Sequence, residues 1–417
     1  MLTRYFETLS ECSDSINFYK GEKTMKNLKK VLAVAVAAVM MSACFASCAG
    51  EKQTGIRIGG IGPITGGAAI YGQAVKNAAE LAVEEINALD SDIKFEFKMQ
   101  DDEHDAEKSV NAYNTLKDWG IQILMGTVTS GPCTAVSTET NADNIFTLTP
   151  SASSTDVIGG YKDENGNTIE RKDNVFQMCF SDPNQGTASA QYISEQKLAT
   201  KVAVIYNNAD NYSTGIYQKF DAEAKARNLE IVSVGTCTDE TTDFKTQLNA
   251  AKQAGADLVF LPIYYTPASL ILKQAKDIDY APKFFGVDGM DGILTVENFD
   301  TSLAEGVMLL TPFSADAEDE KTQNFVKKYK EKFGEIPNQF AADAYDCMYA
   351  LYEACKSEGI TMDMSAQEIN EKLKALFTGD SFTFDGLTGK GMKWSKSGEV
   401  SKAPMAVVIE NGVYVGM

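Results

Sequence analysis

The chain has 417 residues, 44% of them hydrophobic, which is enough to bury one large core or two medium ones, and domain-size norms favour two. Its 58 acidic and 38 basic residues give a formal net charge of -20, so nonspecific attraction to nucleic acid or to an anionic membrane surface is disfavoured. The single histidine, His104, leaves little material for a metal cluster or a histidine-based nucleophile triad.

The first predicted element is an export signal. "MKNLKK", from Met25, is basic; "VLAVAVAAVMMSACFAS" after it is apolar, too short for a comfortable membrane span, and ends in small residues. Residues 1–24 carry no such pattern, and translation is expected to begin at Met25. "MSAC" and "FASC" both place small residues before a cysteine, as lipoprotein cleavage boxes do, so Cys44 and Cys48 are rival lipidation sites. An isolated apolar helix is the alternative. The expected organisation is a leader over 1–47 and an anchor linker over 48–55, and removal of the leader leaves the chain more acidic still.

Beyond the leader stand Cys133, Cys179, Cys237, Cys347 and Cys355, an odd number at irregular spacings that implies no disulfide framework. Cys347 and Cys355 fall two turns apart on one predicted helix, about 12 Å along its axis and out of disulfide reach. Buried free thiols are expected.

Apolar strands then alternate with amphipathic helices, the order that gives a parallel sheet with helices on both faces. Strand "IRIGGIGP" leads to a helix over 73–89, whose Val75, Ala78, Ala79, Ala82, Ile86 and Leu89 follow the spacing of one buried face. Strand "IKFEFKMQ", helix "DAEKSVNAYNTLKDWG", strand "IQILMGT", a helix from Pro132 and strand "IFTLTP" complete one doubly wound unit. "GGYKDENGNTIERKDN" reads as a surface loop, after which the pattern restarts at "VFQMCFSD" and continues through "KVAVIYNN", "EIVSVGT", "ADLVFLPIYY" and "KFFGVDG", with helices between them. Two long helices, "KTQNFVKKYKEKFG" and "NQFAADAYDCMYALYEACKSEG", precede the closing strands "APMAVVI" and "GVYVGM". The fold class is therefore α/β, with two doubly wound parallel-sheet lobes and a cleft between them. Ligands in such folds lie beyond the carboxyl ends of the strands.

The turns at those ends carry the candidate site. "GGIGPITGG" puts Pro63 where a phosphate-cradling loop wants a free amide, which weakens a dinucleotide reading. Tyr71 after it is either a wall or lid of the cleft or a packing residue of the helix start. In "GTVTSGPCTA", Ser130 stands where an N-cap belongs, and the helix end behind it attracts a carboxylate. "TPSASSTD" offers Ser151, Ser153 and Ser154, whose hydroxyls suit both carboxylate and ammonium. In the second half, "NNADNYSTG" supplies Tyr212, "PIYYTP" supplies Tyr264 and Tyr265, and "GVDGMDG" supplies Asp288 and Asp291 as partners for a ligand ammonium. A carboxylate binder facing an ammonium binder describes a receptor for a zwitterion. "DDEHDAE" around His104 reads as a solvated loop ahead of a helix, with a cation site as the alternative.

The sequence "GPITG…YG…A…A…IN", "DD", "GTVTSG", "TPSAS", "NNADNYSTG", "FLPIYYTPASLILKQA", "FFGVDG" and "FDGLTGKGMKWSKSGEV", in that order, resembles the bacterial leucine/isoleucine/valine-binding protein family over about residues 56–415. These are extracytoplasmic solute receptors of ATP-driven importers, with a type I periplasmic-binding-protein fold. The resemblance implies Tyr71 as a lid aromatic, Ser130 as a carboxylate ligand, Ser151 and Ser153 as backbone and hydroxyl contacts, Tyr212 stacking over the ligand, Tyr265 lining the pocket and Asp288 receiving the amino group. The family's best-known members have Glu where Asp288 stands, so the acid here has a shorter reach. They also have a cysteine pair near the first binding turn, where this chain has residues of "DDEHD" and Thr129.

The implied lobes are discontinuous: 56–178 with 312–393, and 179–311 with 394–417, joined by three hinge strands crossing near Phe180, Thr311 and Trp394. Hinge closure would bury the ligand, and the importer's permease and ATPase would read the closed form. The expected protein is a monomer held to the membrane by a lipid anchor only; it uses no cofactor and no metal, and it catalyses nothing. A branched-chain amino acid leads as ligand, with other amino acids, amides and small carboxylates behind it. The readings from other classes are a receptor module signalling to a membrane sensor and an enzyme using the same cleft.

Overall fold

The computed structural model describes residues 52–163 and 165–417. The predicted leader, both candidate lipidation cysteines and the linker up to residue 51 lie outside the described residues. From Thr54 onward the chain forms one compact unit.

The first sheet is built from β1 (Ile56–Gly62), β2 (Phe95–Asp101), β3 (Ile123–Gly126), β4 (Thr147–Thr149) and β7 (Val175–Gln177), in the order β2-β1-β3-β4-β7 and parallel throughout. Around it run helices α1 (Ala69–Ala88), α2 (Ala106–Trp119), α3 (Ser130–Asp143) and the single turn α4 (Thr155–Ile158). Strand β1 is buried at every position except the half-buried Arg57, as expected of a central parallel strand covered on both faces. Helix α1 buries Val75, Ala78, Ala79, Ala82 and Ile86 of the periodic set read from the sequence, and Tyr71 besides; it starts at Ala69, and Leu89, expected on the same face, is instead its exposed C-cap. Asp105 caps α2 by accepting from the Lys108 amide, and Gly120 ends it with φ 86°, a left-handed turn that glycine makes without strain.

The second sheet holds β8 (Lys201–Asn207), β9 (Glu230–Cys237), β10 (Leu258–Leu261), β11 (Lys283–Gly286), β12 (Met308–Thr311), β13 (Met405–Glu410) and β14 (Val413–Gly416), in the order β14-β13-β12-β11-β10-β8-β9. It is parallel from β9 to β12, and the two carboxyl-terminal strands add to its edge antiparallel. Its helices are α5 (Asp182–Glu195), α6 (Asn211–Ala226), α7 (Lys245–Ala254) and α8 (Tyr265–Asp277). After β12 come α9 (Glu320–Phe333), α10 (Gln339–Glu358) and α11 (Ala366–Phe377); α10 packs along α1, on the side of the first sheet.

Two expectations differ from the structure. "VFQMCFSD" does not restart the pattern: only Val175–Gln177 is strand, and it pairs with β4 as the last strand of the first sheet. The segment read as an ordinary loop contains a short antiparallel hairpin, β5 (Tyr161–Lys162) with β6 (Thr168–Ile169).

The largest apolar cluster includes Ile58, Met125 and Leu148 from the first sheet, Val259 and Leu261 from the second, and Phe340, Ala344 and Leu351 from α10. Hydrogen bonds also cross directly between the strand-end turns of the two sheets. Ile70 donates from its amide to Tyr265 Oη at 3.2 Å, and Thr266 Oγ1 donates to the Gly67 carbonyl at 2.8 Å. The cleft between the sheets is shut. No helix among the described residues is long and apolar enough to cross a membrane.

Candidate functional site

The strand-end turns meet around a closed space of only about 10 Å³, lined by Tyr71, Val128, Thr129, Ser130, Ser151, Tyr212, Tyr264, Asp288, Gly289 and Phe340. A larger hollow of about 460 Å³ lies beside Lys321, Glu353 and Asp385, but it is open and away from the strand ends where this architecture places ligands.

The first wall comes from the turns after β3 and β4. Ser130 is the first residue of α3, not its N-cap: that place is taken by Thr129, which makes no side-chain capping bond. The Ser130 hydroxyl instead accepts from the Ser154 amide at 3.2 Å, tying the two turns together. Ser151 Oγ donates to the Val128 carbonyl at 2.7 Å, which leaves its lone pairs free to accept. The wall is thus neutral, made of hydroxyls and the start of a helix, where unpaired amides collect.

Ser153 lies outside the lining. It is fully buried, its hydroxyl has no hydrogen-bond partner, and its carbonyl accepts from the Asp182 amide at 3.0 Å. Asp182 is buried too, with neither carboxylate oxygen partnered. Burial pushes its pKa well above the ordinary carboxylate value; the nearby Ser153 hydroxyl opposes this without reaching bonding geometry.

The second wall comes from the turns after β8, β10 and β11. Asp288 is buried, with Oδ1 accepting from Tyr212 Oη at 2.6 Å and Oδ2 from Gln185 Nε2 at 2.9 Å. Burial raises its pKa to about 7; the Tyr212 hydroxyl pulls it down, and the charge of Asp343 adds to the rise. The Gly289 amide donates to Tyr212 Oη at 2.9 Å, and a Cβ at 289 would sit 2.5 Å from that oxygen, so the approach requires glycine. Each Asp288 oxygen keeps acceptor capacity for a further donor.

The lining is strongly aromatic. Tyr264 stacks on Tyr212 at 4.9 Å between centroids and meets Tyr71 edge-on at 5.6 Å, while Tyr71 tilts against Phe340 at 4.3 Å. Tyr265, which the resemblance places in the pocket, is not among the lining residues. It turns to α1 and accepts from the Ile70 amide, while its neighbour Tyr264 faces the space. The reason is local: Tyr264 is the extended N-cap of α8 and Tyr265 its first helical residue, so the two side chains leave the backbone in different directions.

His104 is not a solvated loop residue. Its Nδ1 lies 2.9 Å from Thr129 Oγ1 and its ring meets Tyr264 edge-on at 5.5 Å. Burial lowers its pKa, favouring the neutral ring. Thr129 and a residue of "DDEHD", the region to which the resemblance gives a cysteine pair, are thus joined here by a hydrogen bond. No group of three potential metal ligands occurs among the described residues.

Of the residues named from sequence, Tyr71, Ser130, Ser151, Tyr212, Tyr264 and Asp288 come together around one space, and Ser153, Ser154, Tyr265 and Asp291 are not among its lining. Gln185 and Phe340 were missed. Gln185 lies in the first turn of α5 at a strand-end crossing, a position the fold pattern could have flagged; Phe340 reaches the site only because α10 packs back on α1, and nothing local announces it.

The profile of the periplasmic binding protein family matches residues 55–411. A Leu/Ile/Val-binding protein homolog of Brucella melitensis is 31% identical over 267 residues, 63% of this chain and 68% of that protein. The leucine-, isoleucine-, valine-, threonine- and alanine-binding protein of Pseudomonas aeruginosa is 24% identical over 341 residues, 81% of this chain and 87% of that one. Among solved structures, the branched-chain amino acid transporter substrate-binding protein LivJ of Streptococcus pneumoniae, in complex with isoleucine, superposes with a TM-score of 0.75 at 26% identity, covering 87% of this chain and 98% of that one. A solute-binding protein of an ABC transporter from R. palustris, in complex with benzoate, has the same fold, with a TM-score of 0.75 at 20% identity over 87% of this chain and 96% of that one. The two parallel sheets, the closed cleft at their strand ends and a family match spanning nearly the whole described chain agree: this chain belongs to the periplasmic binding protein family.

Proposed function

We propose that the chain is the extracytoplasmic solute receptor of an ABC importer. It binds an amino acid, a branched-chain one in the first place, between two hinged lobes and presents the closed complex to the membrane permease and its ATPase. The observation that carries this reading is the pairing of unlike walls around one space. Ser130, Ser151 and the start of α3 suit a carboxylate; Asp288, buried opposite them and held by Tyr212 and Gln185, suits an ammonium. Val128 and Phe340 supply apolar surface for an aliphatic side chain.

In this reading the lobes are 56–178 with 312–393 and 179–311 with 394–417, and their hinge segments run near Phe180, Thr311 and Trp394. A lipid on Cys48 or Cys44 holds a monomer to the outer face of the cytoplasmic membrane. The protein catalyses no reaction and needs no cofactor. The aromatic lining favours, as second reading, a small aromatic carboxylate, for which the rings would supply the contact surface.

Thermal unfolding of the leaderless protein against a panel of amino acids, amides and small carboxylates tests the proposal. A ligand at a hundredfold its dissociation constant adds about 2.7 kcal/mol to the folded state and raises the midpoint by about 2–4 °C. Leucine, isoleucine or valine should give that shift. Silence from every amino acid beside a shift with an aromatic carboxylate would transfer the site to the second reading.

A further inference from the structure

The turn that carries Asp288 has a second acid, Asp291, with a different environment. Its side chain does not line the cleft space, is buried, and has one oxygen, Oδ2, accepting from the Gln339 amide at 2.8 Å. Gln339 is the first residue of α10, so the carboxylate sits on the helix end where backbone N–H groups are unpaired and the dipole favours negative charge. The Gln339 side chain adds a second bond, Nε2 to the Asp288 carbonyl at 3.0 Å, and the Tyr71 hydroxyl donates to the Gly289 carbonyl. The turn follows β11 of the second sheet, whereas α10 and α1 belong to the side of the first. Every one of these bonds therefore crosses the cleft, and all of them break if it opens. Helix α10 does not need Asp291 in order to form, because Asn338 already caps it by accepting from the Ala341 amide.

We propose that Asp291 is a positioning residue for solute retention: without touching the solute, it holds the two walls together by capping α10 across the cleft. The inference rests on the receptor reading above. It assigns to one short turn both the acid that meets the ligand and the acid that keeps the ligand in. A bond made only in the closed form adds to the affinity of every ligand equally, since it contributes to the closing equilibrium and not to recognition.

Three variants test it by calorimetry, stopped-flow kinetics and small-angle scattering. Asp291→Ala should weaken binding of each accepted ligand by about tenfold, with the loss in dissociation rate and the order of preference unchanged. Asp291→Asn, which keeps an acceptor oxygen, should recover part of that loss. Gln339→Pro deletes the amide donor while proline remains tolerated at the first helical position; because it also removes the Nε2 bond to the Asp288 carbonyl, it should weaken binding at least as much as Asp291→Ala. Unchanged affinity in Asp291→Ala, or a loss that differs from ligand to ligand, would overturn the proposal. If the unaltered protein binds nothing in the panel, the receptor reading fails, and ligand-free scattering decides this one separately. A larger radius of gyration in Asp291→Ala than in the unaltered chain upholds the latch, and equal radii refute it.

Discussion

The two walls of the cleft solve different electrostatic problems. On the first, Ser130 and Ser151 are fixed by bonds to nearby backbone, namely the Ser154 amide and the Val128 carbonyl, and neither carries a charge. That wall is finished before a ligand arrives. On the second, Asp288 lies buried with Asp182, Asp210 and Asp343 within electrostatic range of its neighbourhood, and burial favours its neutral form. A cationic group placed against Asp288 relieves a cost that the empty site carries. Binding energy should therefore concentrate on the second wall, while the first supplies orientation.

The largest expected effect tests that division directly. Asp288→Ala should weaken amino-acid binding by about a hundredfold or more, because the ligand ammonium would be buried without its counter-charge. A loss of only severalfold, measured by calorimetry, would mean that the walls share the energy evenly. The next test is pH. With a folded-state pKa of about 7 against an ordinary 3.8, Asp288 binds its proton more tightly folded than unfolded. In the ligand-free protein its stabilising contribution is thus full below the unfolded value and is lost as pH rises through about 7. Denaturant titrations should show that slope, and Asp288→Asn should flatten it. An ammonium ligand reverses the sign, since it needs the ionised acid, so affinity should rise with pH up to about 7. The smallest effects belong to the first wall. Ser130→Ala should cost about 1 kcal/mol of binding through loss of the tie to Ser154. Behind that wall, Ser153→Ala removes a buried hydroxyl that has no partner, so it should leave the ligand-free midpoint unchanged or slightly higher and ligand affinity unchanged.

Much of this arrangement was legible in the sequence because the signals are periodic or local. The buried face of α1, the continuous apolar β1 and the serine-rich turns after β3 and β4 each follow from spacing over a few residues. What escaped depended on pairing and rotation. Val175–Gln177 has the composition of any strand, and only its partner β4 decides that it closes the first sheet and does not open the second. Thr129 takes the cap expected of Ser130 through a one-residue shift in helix start, and Tyr264 takes the place given to Tyr265 through a comparable shift. Phe340 and Gln339 come from a helix placed at the cleft by packing on α1, information that no short stretch of sequence contains.

The cysteines have a meaning beyond the missing disulfides. Cys133, Cys179, Cys237, Cys347 and Cys355 are all unpaired and buried, and burial raises the pKa of each, to about 11 for Cys237 and about 12 for Cys355. Thiol–disulfide exchange proceeds through the thiolate, and at neutral pH thiols so placed supply almost none. Among the described residues, the folded chain thus offers an oxidant five thiols that are both out of reach and held in the unreactive protonated form. Its redox stability is then a by-product of its packing, and it lasts only as long as the packing does.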